Sequence, residues 1–370
     1  MKRRSKPELE KFRADVMAAF TTLAPVAPGI ARWDAREWQS LILSRGWVCP
    51  AWPTDWGGAG WSSAEKFIWY QACHASFDDY QEPPEIADVG PALGRWGNAR
   101  AHAELANIAA LGRPWSLALF EEGFSGADLQ TQFKQGLLEG QKVSVRYLGR
   151  AERILVVAKH GSEFVLLSVA VDAPGVSVRQ STSLSGLDEF ARVDFVGVKI
   201  SPDEVLGRLA SRVALQALCQ QVVGLELGRS GVLIKQLERL SKMPDIDRDD
   251  TRLAALEVSV RALAALEARV VSARQSDTQP PVPWSLLQAR SLALQLEVGE
   301  ALVDSFGYYA MPFPDPVSLH NEGRIGPEES YAATYAMLRA TEQVNYANLA
   351  GDLYDIAARE WLTPDNGKSG

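Results

Sequence analysis

Apolar positions change their period twice along the chain. From Glu8 to about Trp115 they recur at three- and four-residue spacing (Phe12, Val16, Ala19, Phe20; Trp38, Leu41, Ile42; Phe67, Ile68, Ala72). That pattern predicts amphipathic helices joined by Pro/Gly loops. Between Leu117 and about Val205 it shortens to β-like runs at 142–147, 154–159, 164–171, 176–180 and 192–200, separated by turn signals such as His160-Gly-Ser162 and Asp172-Ala-Pro-Gly175. Runs of this kind predict a small antiparallel barrel or sandwich. From Ala214 onward the period is helical again, over 215–240, 250–274, 284–305 and 328–360, with breaks at Pro280–Pro283 and Pro312–Pro316. Long Ala/Leu-rich helices of this sort build a four-helix bundle. The expected fold is therefore mainly α with a central β domain: a helical N-domain over 1–116, a β-barrel or sandwich over 117–207, and a C-terminal helix bundle over 208–370. A helical face such as Leu253, Leu256, Val260, Leu263 and Leu266 serves either packing within that bundle or oligomerisation.

Composition narrows the function. At 46% hydrophobic and 23% charged residues, the chain has the balance of a globular protein. A net charge of −8 argues against nucleic acid or an anionic membrane surface, which require clustered Lys and Arg. The basic start Lys2-Arg-Arg4 is not followed by an apolar run, so no secretory leader is expected. No stretch approaches the roughly 18 apolar residues of a membrane span, which makes a cytoplasmic location the expectation. Cys49, Cys73 and Cys219 are odd in number and far apart, as reduced thiols would be. His74, His102, His160 and His320 stand singly, without metal-ligand spacing.

Specific motifs carry more. Trp52-Pro-Thr-Asp-Trp-Gly-Gly-Ala-Gly60 is followed by Val89-Gly-Pro-Ala-Leu-Gly-Arg-Trp96-Gly, then by Ala118-Leu-Phe-Glu-Glu-Gly-Phe-Ser-Gly-Ala-Asp128 and Gly140-Gln-Lys142. In this order they resemble the W-P-x-x-x-G-G-x-G turn, the G-P-x-L-x-x-x-G element, the A-L-T-E-P-G-A-G-S-D flavin loop and the G-x-K strand opening of acyl-CoA dehydrogenases. The end of the β region at 187–207 resembles F-x-x-V-x-V-P-x-x-x-V-L-G. Ala217–Leu225 resembles the first bundle helix of members that handle sterol-derived thioesters, and Leu338-Arg-Ala-Thr-Glu342 resembles L-R-A-x-T-I-E near the end of the fold.

The resemblance implies α,β-desaturation of an acyl-CoA thioester with FAD, a carboxylate taking the α-proton while the β-hydrogen leaves as hydride. Several residues depart from that chemistry. In the flavin loop Glu121, Gly123 and Gly126 keep the skeleton, but Phe120 replaces Thr, Glu122 replaces Pro, Ala127 replaces Ser, and one residue is inserted. The W-I-T-N-G strand reads Ser144-Val-Arg146-Tyr-Leu148, which leaves Arg146 at the ring-edge position. Arg239 falls near the R-x-x-F-G motif that reaches a neighbouring subunit's FAD, followed by Met243-Pro244. Asp304 takes the place of the Gln beside the pyrophosphate, where like charges repel. Ala214 lies where some members carry the base, and Glu342 lies near the alternative position without the expected G-G-T-S-E. Glu342 reads either as the catalytic carboxylate or as an intrahelical partner of Arg339. Glu121 reads as structural, receiving backbone N–H bonds in a tight turn.

A complete scaffold with edited contacts leads to a subunit of a heteromeric acyl-CoA dehydrogenase. Its homologous partner would hold most of the FAD contacts in an α2β2 heterotetramer, with a steroid or bile-acid side-chain CoA ester as the substrate class. Two alternatives stand beside it: an autonomous flavoenzyme with an unusual FAD site using Arg146 and Tyr147, and a non-catalytic scaffold or regulatory partner.

Overall fold

A computed structural model describes residues 5–23, 35–77, 80, 82–122, 129–182, 189–222, 228–242, 251–275 and 284–306. Within these, the helices are α1 (Lys6–Phe20), α2 (Arg36–Arg45), α3 (Ser63–Ser76), α4 (Gly90–Trp96) and α5 (Ala99–Ala109), followed after the strands by α6 (Arg212–Val222), α7 (Ser230–Leu240), α8 (Thr251–Gln275) and α9 (Trp284–Phe306). The strands are β1 (Trp115–Ala118), β2 (Gln132–Lys134), β3 (Leu137–Arg146), β4 (Arg153–His160), β5 (Glu163–Ala170), β6 (Val176–Thr182), β7 (Glu189–Lys199) and β8 (Val205–Leu209). Helical, then β, then helical segments follow one another as the hydrophobic periods predict. The expected helix over 328–360 lies outside the described residues.

The chain forms two compact units. One comprises Ala14–Trp61 and Asp79–Gly224 and contains the sheet. Its strands run in the order β6-β7-β3-β2-β4-β5-β8, with β1 joined to β4. Most pairings are antiparallel, but β1 and β2 both meet β4 in parallel. That places β4 between neighbours, and its residues from Ile154 to Ala158 are all buried. A continuous apolar run, rather than alternation, is the signature of a strand covered on both faces. Ile154, Val156, Val165, Leu167, Val193 and Phe195 form the centre of this core.

The other unit comprises Met1–Arg13, Ser62–Asp78 and Leu225–Gly370. Helix α3 begins with a capping box: Ser62 Oγ accepts from the Glu65 N–H, while the Glu65 carboxylate accepts from Ser62. Leu233, Leu237, Leu256, Val260, Leu263, Leu287 and Leu294 supply a core between α7, α8 and α9. The single helical run expected over 215–240 is instead two helices, α6 and α7. Gly228 has φ +81°, which an α-helix cannot contain, and a Cβ there would stand 2.4 Å from the Gln71 backbone N of α3. Among the described residues, no helix is long and apolar enough to cross a membrane.

Candidate functional site

The first two glycine motifs pack into one another. The buried indole of Trp52 lies over Gly90, where a Cβ would meet its ring at 1.8 Å, and Trp56 covers Gly94 in the same way at 2.6 Å. Glycine is required at both places because the aromatic rings occupy the space of a side chain. The Trp52 Nε1–H donates to the Ile86 carbonyl at 2.9 Å. Ile86 belongs to a π-helical turn, Glu85–Val89, that leads into α4. Wide turns of this kind re-aim side chains and recur at functional sites.

That turn presents two nearly sealed carboxylates to the end of β3. Asp88 Oδ2 accepts from Arg146 Nη2 at 3.1 Å, with 7% of the Asp88 side chain exposed. Glu85 accepts from Arg150 Nη2 through both oxygens, at 2.8 and 2.9 Å. On either side of Arg146 the backbone is unusual. Ser144 and Tyr147 have φ +55° and +53°, and the pairing of β3 with β7 shifts register between Lys142 and Val145. Val145 and Leu148 point into the core, Ser144 is exposed, and Ser116 Oγ donates to the Arg146 carbonyl at 2.7 Å. This is the stretch that would carry the flavin-edge contacts. Its residues do not fit that role: the ring-edge position holds a guanidinium engaged with a carboxylate, and the aromatic position holds an exposed serine.

Glu121 and Lys142 form the second part of the site. Lys142 is fully buried, and its Nζ donates to Glu121 Oε1 at 2.7 Å and to the Leu119 carbonyl at 3.0 Å. Glu121 also accepts the backbone N–H groups of Gln130 and Thr131. Burial would raise the Glu121 pKa, but the charge and hydrogen bond of Lys142, with the two N–H donors, outweigh it and hold it below the usual carboxylate value. Burial pulls Lys142 down to about 8 against the opposing effect of Glu121, and the ammonium persists at neutral pH. Cys219 of α6 lies within electrostatic reach of this ammonium; burial pushes its thiol up to about 11. Neither Cys219 nor Lys142 is a nucleophile under those conditions.

In the helical unit, Arg239 sits in the last turn of α7, half-buried. Asp304 of α9 accepts from Arg252 of α8 at 2.7 Å, so the acid in the expected pyrophosphate slot has a protein cation beside it. Glu267, on α8, is completely buried and hydrogen-bonds the equally buried Ser230 of α7. Burial, only partly opposed by the Ser230 hydrogen bonds and Arg229, raises its pKa to about 7.

The structure thus brings Glu121 to Lys142 and Arg146 to Asp88. Glu342, Gly123 and Gly126 lie outside the described residues. The sequence reading missed Glu85, Asp88, Arg150 and Glu267. A signal existed for the first three, since Glu85 and Asp88 stand three apart and Arg146 and Arg150 four apart, but it is legible only once the π-helical turn is known. Among the described residues, no group of three or more His, Cys, Asp or Glu side chains is arranged to hold a metal ion.

No family model matches the chain. Its fold is that of the acyl-CoA dehydrogenases, oxidoreductases whose cofactor is FAD, and its ordered motifs and sequence relatives resemble the same family. Over 311 residues it is 25% identical to acyl-CoA dehydrogenase IpdE1 of Mycobacterium tuberculosis, spanning 76% of this chain and 78% of that protein. The Tcur3481-Tcur3483 steroid ACAD has the same fold with a TM-score of 0.72 at 18% identity, covering 92% of this chain and 97% of that one. The ChsE4-ChsE5 complex from Mycobacterium tuberculosis also gives a TM-score of 0.72 at 18% identity, over 94% of this chain and 97% of its own.

Proposed function

We propose that this chain is one subunit of a heteromeric acyl-CoA dehydrogenase that desaturates a bulky, polycyclic CoA thioester of the steroid or bile-acid side-chain class. A homologous partner holds most of the FAD contacts. The observation that carries this reading is the state of the β3 end: Arg146, at the flavin-edge position, is bonded to Asp88, with left-handed residues on either side of it. Relatives of the same fold that bear paired names, among them a steroid ACAD, support the choice of partner and substrate class.

In this reading the chain has three working regions, 1–116, 117–207 and 208–370, and the assembly is an α2β2 heterotetramer in the cytoplasm. Glu121, pinned by Lys142, fixes the base of the loop that contains Gly123 and Gly126. Arg239 faces the partner's cofactor from the end of α7. Glu342 is the carboxylate this chain offers for α-proton removal. Such a base needs a water-poor slot that brings its pKa toward the working pH.

Two purifications test the proposal. Expressed alone, the chain is expected to be colourless; co-expressed with a homologous acyl-CoA dehydrogenase encoded beside it, it is expected to copurify as a yellow complex that desaturates a steroid-CoA ester. A chain that binds flavin stoichiometrically and turns over alone would establish the autonomous enzyme instead.

A further inference from the structure

Two ion pairs join the π-helical turn to the end of β3. Arg146 meets Asp88 and Arg150 meets Glu85, each acid less than a tenth exposed and each guanidinium about one-third exposed. The acids are three residues apart and the arginines four, so the pairs grip both ends of the short segment 146–150. Arg150 also lies 5.8 Å from the centre of the Tyr147 ring, over the middle of that segment. Behind the acids, the turn is itself fixed through Ile86 by the Trp52 indole. Behind the arginines, the Arg146 carbonyl is held by Ser116 and Leu148 is buried in the sheet core. Both sides of the clasp are therefore anchored in packed structure.

Drawing the Arg146 guanidinium away to seat an uncharged ring edge would part it from Asp88. A buried carboxylate would then lose its cation, which is among the costliest changes a folded protein can undergo. Both Glu85 oxygens accept from the one Arg150 Nη2, so the second pair is a charge-assisted hydrogen-bonded contact as well as a Coulombic one. Arg146 and Arg150 are thus already committed within the chain.

We infer that the Asp88–Arg146 and Glu85–Arg150 pairs form an internal clasp that holds the flavin-edge segment 146–150 without a flavin, and that Arg146 is a positioning residue for this segment. The inference rests on the reading that the partner chain carries the FAD contacts. It makes this subunit self-supporting at the point where the family resemblance sets a cofactor.

Hydrogen exchange on the full chain, followed in peptides spanning 144–151, tests the clasp. The flavin-free wild-type chain is expected to protect these amides, with no further protection when FAD is added. Asp88→Asn is expected to raise exchange in this segment by about tenfold while leaving the β4–β5 hairpin unchanged, as local opening does. Exchange at the unfolded rate until FAD is added, or protection untouched by Asp88→Asn, overturns the inference. Should Asp88→Asn fail to fold, the wild-type comparison with and without FAD decides it alone. Loss of desaturation in the co-expressed complex with the exchange pattern intact sinks the proposed function instead, so the two failures are distinguishable.

Discussion

The ring of Trp52 lies so close over Gly90 that a methyl group placed on that α-carbon would stand 1.8 Å from it. Trp52 comes from the first glycine motif and Gly90 from the second, so two separate patterns in the sequence are halves of one contact. The same indole holds Ile86, and through it the turn that carries Glu85 and Asp88.

Gly90→Ala forces that contact apart. Overpacking of a rigid, buried aromatic costs about 1–3 kcal/mol and occasionally more. A urea titration is expected to show a lower midpoint with an unchanged slope, and Gly46→Ala, where nothing lies within 4 Å but φ is +66°, is expected to lose only about 1 kcal/mol or slightly more. Equal stability of Gly90→Ala and wild type would mean the ring has room to move.

The Glu121–Lys142 pair predicts asymmetry between single and double variants. Lys142→Met leaves a buried carboxylate without its cation and is expected to destabilise by about 3–5 kcal/mol. Glu121→Gln combined with Lys142→Met is expected to recover a large part of that loss. Denaturant midpoints for the four proteins complete the cycle; purely additive effects would show that the two side chains do not act as a pair.

Glu267 predicts a pH dependence. Its folded pKa of about 7 is above the unfolded value of 4.5, so the native state binds the proton more tightly. The stabilisation is fully present below 4.5 and is lost as pH rises through about 7. Glu267→Gln is expected to remove this slope and to be more stable than wild type at pH 8, by on the order of 2–3 kcal/mol. Thermal midpoints at pH 5, 6, 7 and 8 measure it, and parallel profiles for the two proteins would count against a neutral buried glutamic acid.

In the active complex, Glu342→Gln is expected to reduce kcat by about 10²–10⁴-fold if Glu342 removes the α-proton, the usual contribution of a positioned base. Single-turnover flavin bleaching is the direct measurement. Full turnover in the variant would move the base to the partner chain.

Much of the fold was legible because hydrophobic period is a local signal. β3 to β7 and α8 and α9 fall close to the runs read from apolar spacing alone. The shorter β1, β2 and β8 were not read as strands: three to five residues carry too little alternation, and β1 is buried along its whole length. The split between α6 and α7 was missed because apolar residues recur at helical spacing on both sides of Gly228, and only close approach to α3 reveals why a glycine stands there. At the site, the resemblance to the flavin loop singled out Glu121 as a structural acceptor of backbone N–H groups, and Gln130 and Thr131 donate to it. It could not assign Arg146, whose partner Asp88 is 58 positions away in the chain and is aimed by a turn with no strong local signature.

Glu121 has a consequence for how this protein could have changed over time. By holding Gln130 and Thr131, it ties off the base of the intervening segment much as a knot ties off a loop of thread. Lengthening a closed segment of that size by one residue adds only about 0.1 kcal/mol of closure entropy. The stretch between the two posts can therefore gain a residue and carry Glu122 and Ala127 in place of Pro and Ser at little cost to the sheet that holds the posts. A side chain that stabilises one loop base thereby uncouples the sequence of the loop from the shape of the fold around it.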